Sequence, residues 1–264
     1  MPLNLNETFD FAVATVRAAG GLLREYYQNG VVAEYKGVID LVTDADRASE
    51  QFILERIRST YPEHAILAEE SGANGRASAY TWIADPLDGT TNFAHGFPVF
   101  SVTMALQVAG ATELGVTYDP LRDELFTARR GQGARLNDRP IHVSATPVLD
   151  RSLLTTGFPY DRRTNPHNNL QQFGAFTLKS HGVLRAGSAA LDLASVACGR
   201  VEGYWEFRLN PWDLSAGILM VGEAGGRVTD PSGELIRGAA HDVVASNGQI
   251  HDEMLAVLRS FRVA

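Results

Sequence analysis

The sequence predicts an α+β fold whose helices and sheets are stacked in layers. Two long amphipathic patterns near the amino terminus indicate helices, and the alternating apolar and polar residues from Phe100 to Val108 indicate a strand. The second half mixes short strands with helices of small residues and does not repeat the first half. Because 45% of the 264 residues are hydrophobic, the chain can bury one large core or two tightly joined half-domains.

The first half is predicted to form two helices and then an antiparallel meander. The expected elements are helices over 7–28 and 44–59 and strands over 100–108, 114–118 and 124–127. The pattern Thr43-x-x-Asp46 is typical of a capping box at the start of the second helix. Strict alternation at 100–108 indicates a strand with one buried face, and Ala109-Gly110-Ala111 indicates a hairpin tip.

The second half is predicted to add another mixture of strands and helices. The expected elements are strands over 152–156, 182–185 and 203–207 and helices over 168–177, 188–199 and 212–224. We expect these helices to lie in layers against the sheets and not in strict βαβ units. No linker rich in proline or serine separates the halves, so the predicted boundary is soft: residues 1–146 and 147–264, with an extensive shared interface.

Composition limits the classes of protein to which the chain can belong. The 31 acidic and 23 basic residues give a formal charge of −8, which argues against a general nucleic-acid-binding surface. A single cysteine, Cys198, excludes an internal disulfide and a CxxC zinc site, so a reducing cytoplasm is the expected setting. Residues 1–6 lack the pattern of a secretory signal, and no apolar run reaches membrane-spanning length.

The segment 82–93 is the most informative motif, because it places two carboxylates beside a proline and a glycine at a predicted strand end. Asp85 and Asp88 can bind Mg²⁺ if Pro86 rigidifies a turn between them and directs the Leu87 carbonyl at an ion. Gly89 permits a backbone conformation that is closed to other residues. The alternative is an ordinary acidic surface turn, since Asp, Pro and Gly dominate such turns.

Further acidic positions have equally ordinary alternatives when each is taken alone. The pair Glu69-Glu70 follows a short apolar run and could be a solvated edge. Asp213 falls in the first turn of a predicted helix, where a carboxylate complements the helix dipole, and Asp46 belongs to a capping pattern.

Taken together, the order and spacing of these segments resemble the inositol monophosphatase family over nearly the whole chain. The matching segments are Lys36, 41–46, 69–71, the D-P-x-D-G-T-x-N-F run at 85–93, Gly187-Ser188-Ala189-Ala190 and the W-D-x-x-A-G run at 212–217. Bacterial SuhB-type members are the most similar, because of 156–159, 187–194 and 199–203. The resemblance implies a layered αβαβα sandwich and a magnesium-dependent phosphomonoesterase that hydrolyses inositol 1-phosphate or a similar small polyol or sugar phosphate.

The resemblance also implies a site that holds two to three Mg²⁺ ions. The residues that match the family's metal ligands are Glu69, Asp85, Leu87 through its carbonyl, Asp88 and Asp213. Asp85 would bridge two ions, as in two-metal hydrolysis of phosphate esters. A metal-bound water would be the nucleophile, oriented by Glu69 or Glu70 and by Thr90, with Asp46 holding the Thr90 hydroxyl.

Substrate recognition is implied at a second group of positions. Backbone amides at Gly89 and Thr90 would bind the phosphate. The residues that match the family's polyol-binding groups are Asp88, Gly187, Ser188, Ala189, Glu206 and Asn210. Asn210 stands where animal members carry histidine, so the environment of the leaving group differs, and Lys36 matches a lysine near the third ion.

Several alternatives remain open within and outside this family. Relatives of the same scaffold hydrolyse fructose 1,6-bisphosphate, histidinol phosphate or phosphoadenosine phosphate, and SuhB-type members are associated with the transcription machinery. The resemblance further implies lithium inhibition and a homodimer. Asp44-x-Asp46 is a weak match to haloacid-dehalogenase-type phosphatases, because Ala48 stands where that pattern expects Thr or Val. Cys198 lacks the C-x5-R pattern of cysteine phosphatases.

Overall fold

The structure is a computed structural model that describes residues 3–29, 33–35, 41–236 and 241–261. Lys36 lies outside the described residues. Within these ranges, no helix combines the length and the apolar character needed to cross a lipid bilayer.

Among the described residues, the first half forms three helices, an eight-stranded sheet and a two-stranded sheet. The helices are α1 (Leu5–Asn29), α2 (Asp44–Thr60) and the short α3 (Thr90–Ala94). The strands are β1 (Ala33–Tyr35), β2 (Leu41–Thr43), β3 (Ala65–Ala68), β4 (Gly72–Ala73), β5 (Tyr80–Asp88), β6 (Ser101–Val108), β7 (Ala111–Asp119), β8 (Glu124–Arg129), β9 (Ala134–Leu136) and β10 (Arg139–Ile141). The large sheet has the order β10-β9-β8-β7-β6-β5-β3-β4, whereas β1 and β2 pair only with each other. From β5 to β10 it is an antiparallel meander, of which the sequence predicts β6, β7 and β8 but neither β9 nor β10.

The second half forms a five-stranded mixed sheet with four α-helices. These helices are α4 (Leu170–Thr177), α5 (Ala189–Ala197), α6 (Pro211–Glu223) and α7 (His251–Arg259), and a 3-10 turn spans Leu149–Arg151. The strands are β11 (Leu153–Thr156), β12 (Gly182–Leu184), β13 (Gly203–Leu209), β14 (Arg227–Thr229) and β15 (His241–Ser246), in the order β12-β11-β13-β15-β14. The sequence patterns did not predict β14, β15 or α7.

The helices and sheets form five layers. Helices α1 and α2 pack on one face of the large sheet, and α5 and α6 lie between the two sheets, with contacts to both. Helices α4 and α7 contact the second sheet at β12 and β15. The predicted layered αβαβα sandwich is therefore confirmed. The division at residue 146 stays a prediction: the first sheet ends at Ile141 and the second begins at Leu153.

Two local predictions were wrong, and tertiary packing explains both. Strand β6 is buried on both faces over its first six residues, because α5 and α6 cover the face that alternation assigned to solvent. Ala105 on that face joins the core between the sheets, and Thr103 bonds to Thr117 at 2.8 Å. The second half also contains βαβ units, since β11 pairs in parallel with β12 across α4 and with β13 across α5.

Candidate metal and phosphate site

The acidic motif lies in a strand with an irregularity and not in a turn. Strand β5 continues through Pro86 to Asp88, and its register against β6 shifts between Asp85 and Asp88. A bulge of this kind bends a strand and redirects its side chains. The prediction of a proline turn was therefore wrong. The irregular backbone nevertheless keeps two carbonyls out of the strand ladder: the Pro86 carbonyl accepts from the Ser49 hydroxyl, and the Leu87 carbonyl accepts from the Thr90 hydroxyl.

Three carboxylates converge at this bulge. Asp85, Asp88 and Asp213 each offer an oxygen, and these oxygens lie within 4.8 Å of one another. Asp85 and Asp88 are buried. Burial is the main cause that raises the pKa of all three carboxyls. Repulsion from the Asp88 charge raises the pKa of Asp85 and of Asp213 further. Such a cluster of buried negative charge is stable when a cation shares it.

Asp213 reaches the cluster from the second half of the chain. It occupies the first turn of α6, which begins with Pro211, and its Oδ2 accepts a hydrogen bond of 2.7 Å from the backbone N–H of Asn210. The capping interpretation is thus correct for one carboxylate oxygen. The same side chain also belongs to the acidic cluster, so the two interpretations are compatible.

The carboxylates that follow β3 separate into two environments. Glu69 lines the cavity, and its charge and a hydrogen bond with Asp85 both raise the Asp85 pKa. Glu70, in contrast, does not line that cavity. Its backbone N–H donates to Glu50 at 2.9 Å, and its charge contributes to the raised pKa of Asp46, for which burial is the main cause.

Asp46 and Thr90 form a hydrogen-bonded pair beside the cluster. Asp46 is fully buried at the start of α2, where its Oδ2 accepts from the Thr43 N–H at 2.7 Å. The Thr90 Oγ1 lies 2.9 Å from Asp46 Oδ1 and 3.0 Å from the Leu87 carbonyl oxygen. The capping box at Thr43 therefore fixes a carboxylate that in turn fixes the Thr90 hydroxyl.

The backbone at Gly89 requires glycine. Its φ of 99° lies in the left-handed region, and a Cβ there would lie 3.0 Å from the Val99 carbonyl oxygen and 3.2 Å from the Gly187 carbonyl oxygen. Helix α3 starts at the next residue, Thr90, so its first N–H groups have no acceptor within the helix. These groups and the Gly89 N–H are available for an anion.

Asp88 also joins the two halves of the chain. Its Oδ2 accepts from the Ser188 hydroxyl and from the Ala190 N–H at 2.8 Å, while its Oδ1 accepts from the Ala189 N–H at 3.2 Å. The start of α5 thus binds a carboxylate of the motif. Asn92 adds a second link, because its side-chain amide donates to the carbonyls of Val99 and Ala186, both at 2.8 Å.

Glu206 lies on β13 at another wall of the cavity. Burial raises the pKa of its carboxyl to about 7, and the Tyr204 hydroxyl donates to Oε2 at 2.7 Å. Gly157 faces it so closely that a Cβ there would lie 2.0 Å from a carboxylate oxygen. Glu206 is therefore held in one place, with a carboxyl whose pKa lies well above its ordinary value.

Of the described residues that the sequence assigned to the site, all except Asp46 and Glu70 line one cavity of about 370 Å³. The predicted residues that line it are Glu69, Asp85, Leu87, Asp88, Gly89, Thr90, Gly187, Ser188, Ala189, Glu206, Asn210 and Asp213. Sequence reasoning missed the basic wall, which contains Arg162, Arg163 and Arg185, because these residues come from two loops with no local pattern in common. Asn92 belongs to the 85–93 motif, but the sequence did not predict its link to Ala186.

The donor set fits a hard divalent cation. Asp85, Asp88, Asp213 and Glu69 supply only carboxylate oxygens, which are the ligands that Mg²⁺ and Ca²⁺ prefer. Neither histidine nor cysteine belongs to the acidic cluster found among the described residues.

Comparisons with known proteins agree with this geometry. The sequence profile of the inositol monophosphatase family matches residues 4–263. An inositol-1-monophosphatase from Synechocystis is 46% identical, over 97% of this chain and 90% of that protein. The protein named Nus factor SuhB from Escherichia coli is 43% identical, over 97% of each chain. The solved structure of the inositol monophosphatase from Anabaena (Nostoc) has a TM-score of 0.89 and 47% identity, and the match covers 98% of this chain and 97% of that one. The acidic cavity thus occurs in a chain that belongs to the inositol monophosphatase family, a family of metal-dependent phosphatases.

Proposed function

We propose that the protein is a magnesium-dependent phosphomonoesterase that acts on inositol 1-phosphate or a similar small polyol or sugar phosphate. One observation carries this proposal: the oxygens of Asp85, Asp88 and Asp213 converge within 4.8 Å, in a cavity that also exposes the backbone of Gly89. A phosphate needs positive charge, and an acidic protein can provide it there through bound cations.

Five groups would hold the ions: the side chains of Glu69, Asp85, Asp88 and Asp213 and the carbonyl of Leu87. Bound Mg²⁺ would neutralise phosphate oxygens and lower the pKa of a coordinated water. The protein contributes rigidity, because hydrogen bonds already fix Asp88 from α5 and Asp213 from the start of α6. Preorganised ligands avoid reorganisation during the reaction.

The Thr90 hydroxyl would orient the attacking water and pass on its proton. Thr90 Oγ1 donates to Asp46 Oδ1, so its lone pairs can accept a hydrogen bond from water in the cavity. As the water gives a proton to the Thr90 oxygen, Thr90 would pass its own hydroxyl proton to Asp46 Oδ1, so the hydroxyl would stay neutral. The capping bonds from Thr43 hold Asp46 in place for this step.

Glu206 and Asn210 would recognise the alcohol portion of the substrate. Both line the cavity, and a carboxyl with a pKa near 7 can accept from one ring hydroxyl or donate to another. We expect Glu206→Gln to change the relative kcat/KM of different polyol phosphates more than it changes metal dependence. Unchanged kinetics for every substrate would remove Glu206 from the recognition site.

The decisive experiment measures phosphate release with four substrates: inositol 1-phosphate, fructose 1,6-bisphosphate, histidinol phosphate and 3′-phosphoadenosine 5′-phosphate. The proposal expects activity that EDTA abolishes and that Mg²⁺ restores. We expect Asp213→Asn to reduce kcat/KM at least 100-fold, and Thr90→Val to lower kcat far more than Thr90→Ser. Hydrolysis that persists after complete chelation, or equal rates for Val and Ser at position 90, would contradict the mechanism.

Two further properties belong to this proposal. We expect Li⁺ to inhibit the reaction by competing for a metal position, and we expect the protein to be a homodimer. Inhibition curves at fixed Mg²⁺ test the first expectation. A mass measurement at micromolar concentration tests the second, and a monomer throughout would refute it.

A second candidate function is a binding role in transcription beside catalysis. The observation that favours it is the 43% identity to the Escherichia coli protein named Nus factor SuhB. The proposal expects the protein to capture RNA polymerase or its elongation factors from an extract of its own cells. Capture should persist in Asp88→Asn, which removes a proposed metal ligand, and a protein that captures none of them would refute the binding role.

A further inference from the structure

Strand β13 carries a bulge where it borders the cavity, because its register against β15 shifts after Glu206. Two residues of β13, Phe207 and Arg208, lie there opposite a single residue of β15, Asp242. A bulge of this kind bends a strand and redirects the side chains on either side of it. Glu206 precedes the bulge and Asn210 follows it, so the bulge sets the positions of both groups that the proposed function assigns to the alcohol portion of the substrate.

Arg208 has an unfavourable backbone conformation at this bulge. Its φ of 63° lies in the left-handed region, where a Cβ is crowded against the backbone and where glycine is the usual residue. A residue other than glycine keeps such a conformation only when surrounding contacts impose it. The Arg208 side chain is exposed, so packing in a core does not supply that support.

Asp242 supplies the support from the opposite strand. Its Oδ1 accepts from the backbone N–H of Arg208 at 3.0 Å, and its Oδ2 lies 3.0 Å from Nε2 of His167. The His167 ring in turn stacks on Phe207, with ring centroids 4.3 Å apart and an angle of 22° between the planes. One carboxylate therefore fixes both residues of the bulge. Asp242 itself does not line the cavity, so it can act on the site only through the bulge.

We propose that Asp242 is a positioning residue for substrate recognition. It holds residue 208 in the left-handed conformation and thereby fixes where Glu206 and Asn210 meet the alcohol portion of the substrate. This inference rests on the proposed function for the role of Glu206 and Asn210 in recognition. The hold of Asp242 on the bulge is a property of the fold and is independent of the reaction.

Two substrates separate positioning from general damage. Inositol 1-phosphate presents ring hydroxyls to Glu206 and Asn210, whereas phenyl phosphate has none. We expect Asp242→Ala to lower kcat/KM for inositol 1-phosphate by about fivefold or more, mainly through a higher KM, and to change kcat/KM for phenyl phosphate by less than about twofold. Asp242→Asn keeps an oxygen that can accept from the Arg208 N–H, so it should retain most of the activity. Equal losses for the two substrates would overturn the proposal.

A glycine at position 208 provides a rescue that general damage would not show. Glycine adopts the left-handed conformation without strain, so Asp242 is no longer needed to impose it. In an Arg208→Gly background, Asp242→Ala should lower kcat/KM for inositol 1-phosphate by less than about twofold. The comparison is an Arg208→Ala background, which also loses the guanidinium and its ion pair with Asp161 but keeps a Cβ. There the loss should again be about fivefold or more, and a loss of the same size in both backgrounds would contradict the proposed role.

Asp230→Ala is the matched control. Asp230 also lies in the second half, and its carboxylate also accepts from backbone N–H groups, those of Ser232 at 2.7 Å and Glu234 at 3.0 Å. It does not line the cavity. Asp230→Ala should leave the ratio of kcat/KM between the two esters unchanged. A change in this ratio as large as that in Asp242→Ala would refute a specific role for Asp242.

Crystal structures separate this inference from the proposed function. In Asp242→Ala, the backbone from Glu206 to Asn210 should leave its bulged path, and both side chains should move by about 1 Å relative to Asp213. If inositol 1-phosphate is not hydrolysed but the path changes, the proposed function fails and the hold of Asp242 on the bulge stands. If inositol 1-phosphate is hydrolysed but the path from Glu206 to Asn210 is unchanged in Asp242→Ala, the inference is refuted and the function stands.

Discussion

The acidic cluster should destabilise the metal-free protein, and Asp85→Asn is the substitution that measures this. Asn has nearly the same shape and keeps an acceptor for the Leu87 N–H, which donates to Asp85 Oδ1 at 2.9 Å. The substitution removes one negative charge from three whose oxygens lie within 4.8 Å of one another. The main change is therefore in repulsion and not in packing.

The magnitude follows from Coulomb's law. Two unit charges 4.8 Å apart repel by about 3 kcal/mol at an effective dielectric constant of about 20. Asp85 takes part in two such pairs, but its raised pKa means that proton uptake already relieves part of the repulsion. We expect a gain in unfolding free energy of about 1–3 kcal/mol in EDTA, which is about 2–10 °C in Tm for a chain of this size.

The assay is thermal and urea unfolding of both proteins in EDTA and again in magnesium. Asp85→Asn should be the more stable protein in EDTA and the less stable in magnesium, because it has lost a proposed ligand. The control is Asp119→Asn, since Asp119 is also buried but is paired with Arg122 at 2.7 Å. That variant should lose about 1–3 kcal/mol in both conditions. An Asp85→Asn protein that is less stable in EDTA would refute the reasoning.

Three other perturbations have defined outcomes. Burial lowers the pKa of His251 from 6.5 to about 4, so the folded state binds fewer protons at this side chain than the unfolded state does between these values, and the contribution of His251 to stability falls as the pH falls. We expect this contribution to fall by about 1–2 kcal/mol from pH 7 to pH 5, measured by urea unfolding as the difference in pH dependence between the unaltered protein and His251→Gln. An identical pH dependence in the two proteins would contradict this assignment. Gly115→Ala places a Cβ 2.7 Å from the Ala216 Cα, so α6 must move off β7 and the unfolding free energy should fall by about 1–3 kcal/mol. Gly174→Ala is the control, because a Cβ at this position in helix α4 would have no neighbouring atom within 4 Å, and we expect it to be neutral or stabilising. Calorimetric Tm values should therefore be lower for Gly115→Ala than for Gly174→Ala. The opposite order would show that the packing argument is wrong.

Local sequence signals predicted the elements that local interactions determine. The capping pattern at Thr43 gave the start of α2 at Asp44, because the Thr43 hydroxyl accepts from the N–H groups of Ala45 and Asp46, and the Asp46 carboxylate accepts from the Thr43 N–H. The segment Ala109-Gly110-Ala111 predicted a hairpin tip, and the turn lies at Ala109 and Gly110, which both have positive φ, whereas Ala111 already begins β7. The resemblance on the motifs around Asp85 and Asp213 predicted the family and the layered fold.

Features set by contacts between distant segments were not visible in the sequence. The bulge after Asp85 depends on the register of β5 against β6, which no local pattern contains. The Pro and Gly residues there are equally typical of a turn, so the sequence predicted a turn. Alternation in β6 gave one buried face, but α6 covers the other, and α6 lies more than a hundred residues further along the chain. The basic wall has the same origin, because Arg163 and Arg185 meet only after β11 and β12 pair.

The bonds from Asp88 to the start of α5 have a consequence for how the protein matures. A residue of the first sheet supplies the anion that the second half needs at the beginning of a helix, and Asn92 ties the same regions together. Neither half alone can therefore present a finished site. During refolding, the recovery of activity should follow the docking of the two sheets and lag behind the recovery of secondary structure. The rate at which activity returns would therefore measure the rate at which the two halves dock.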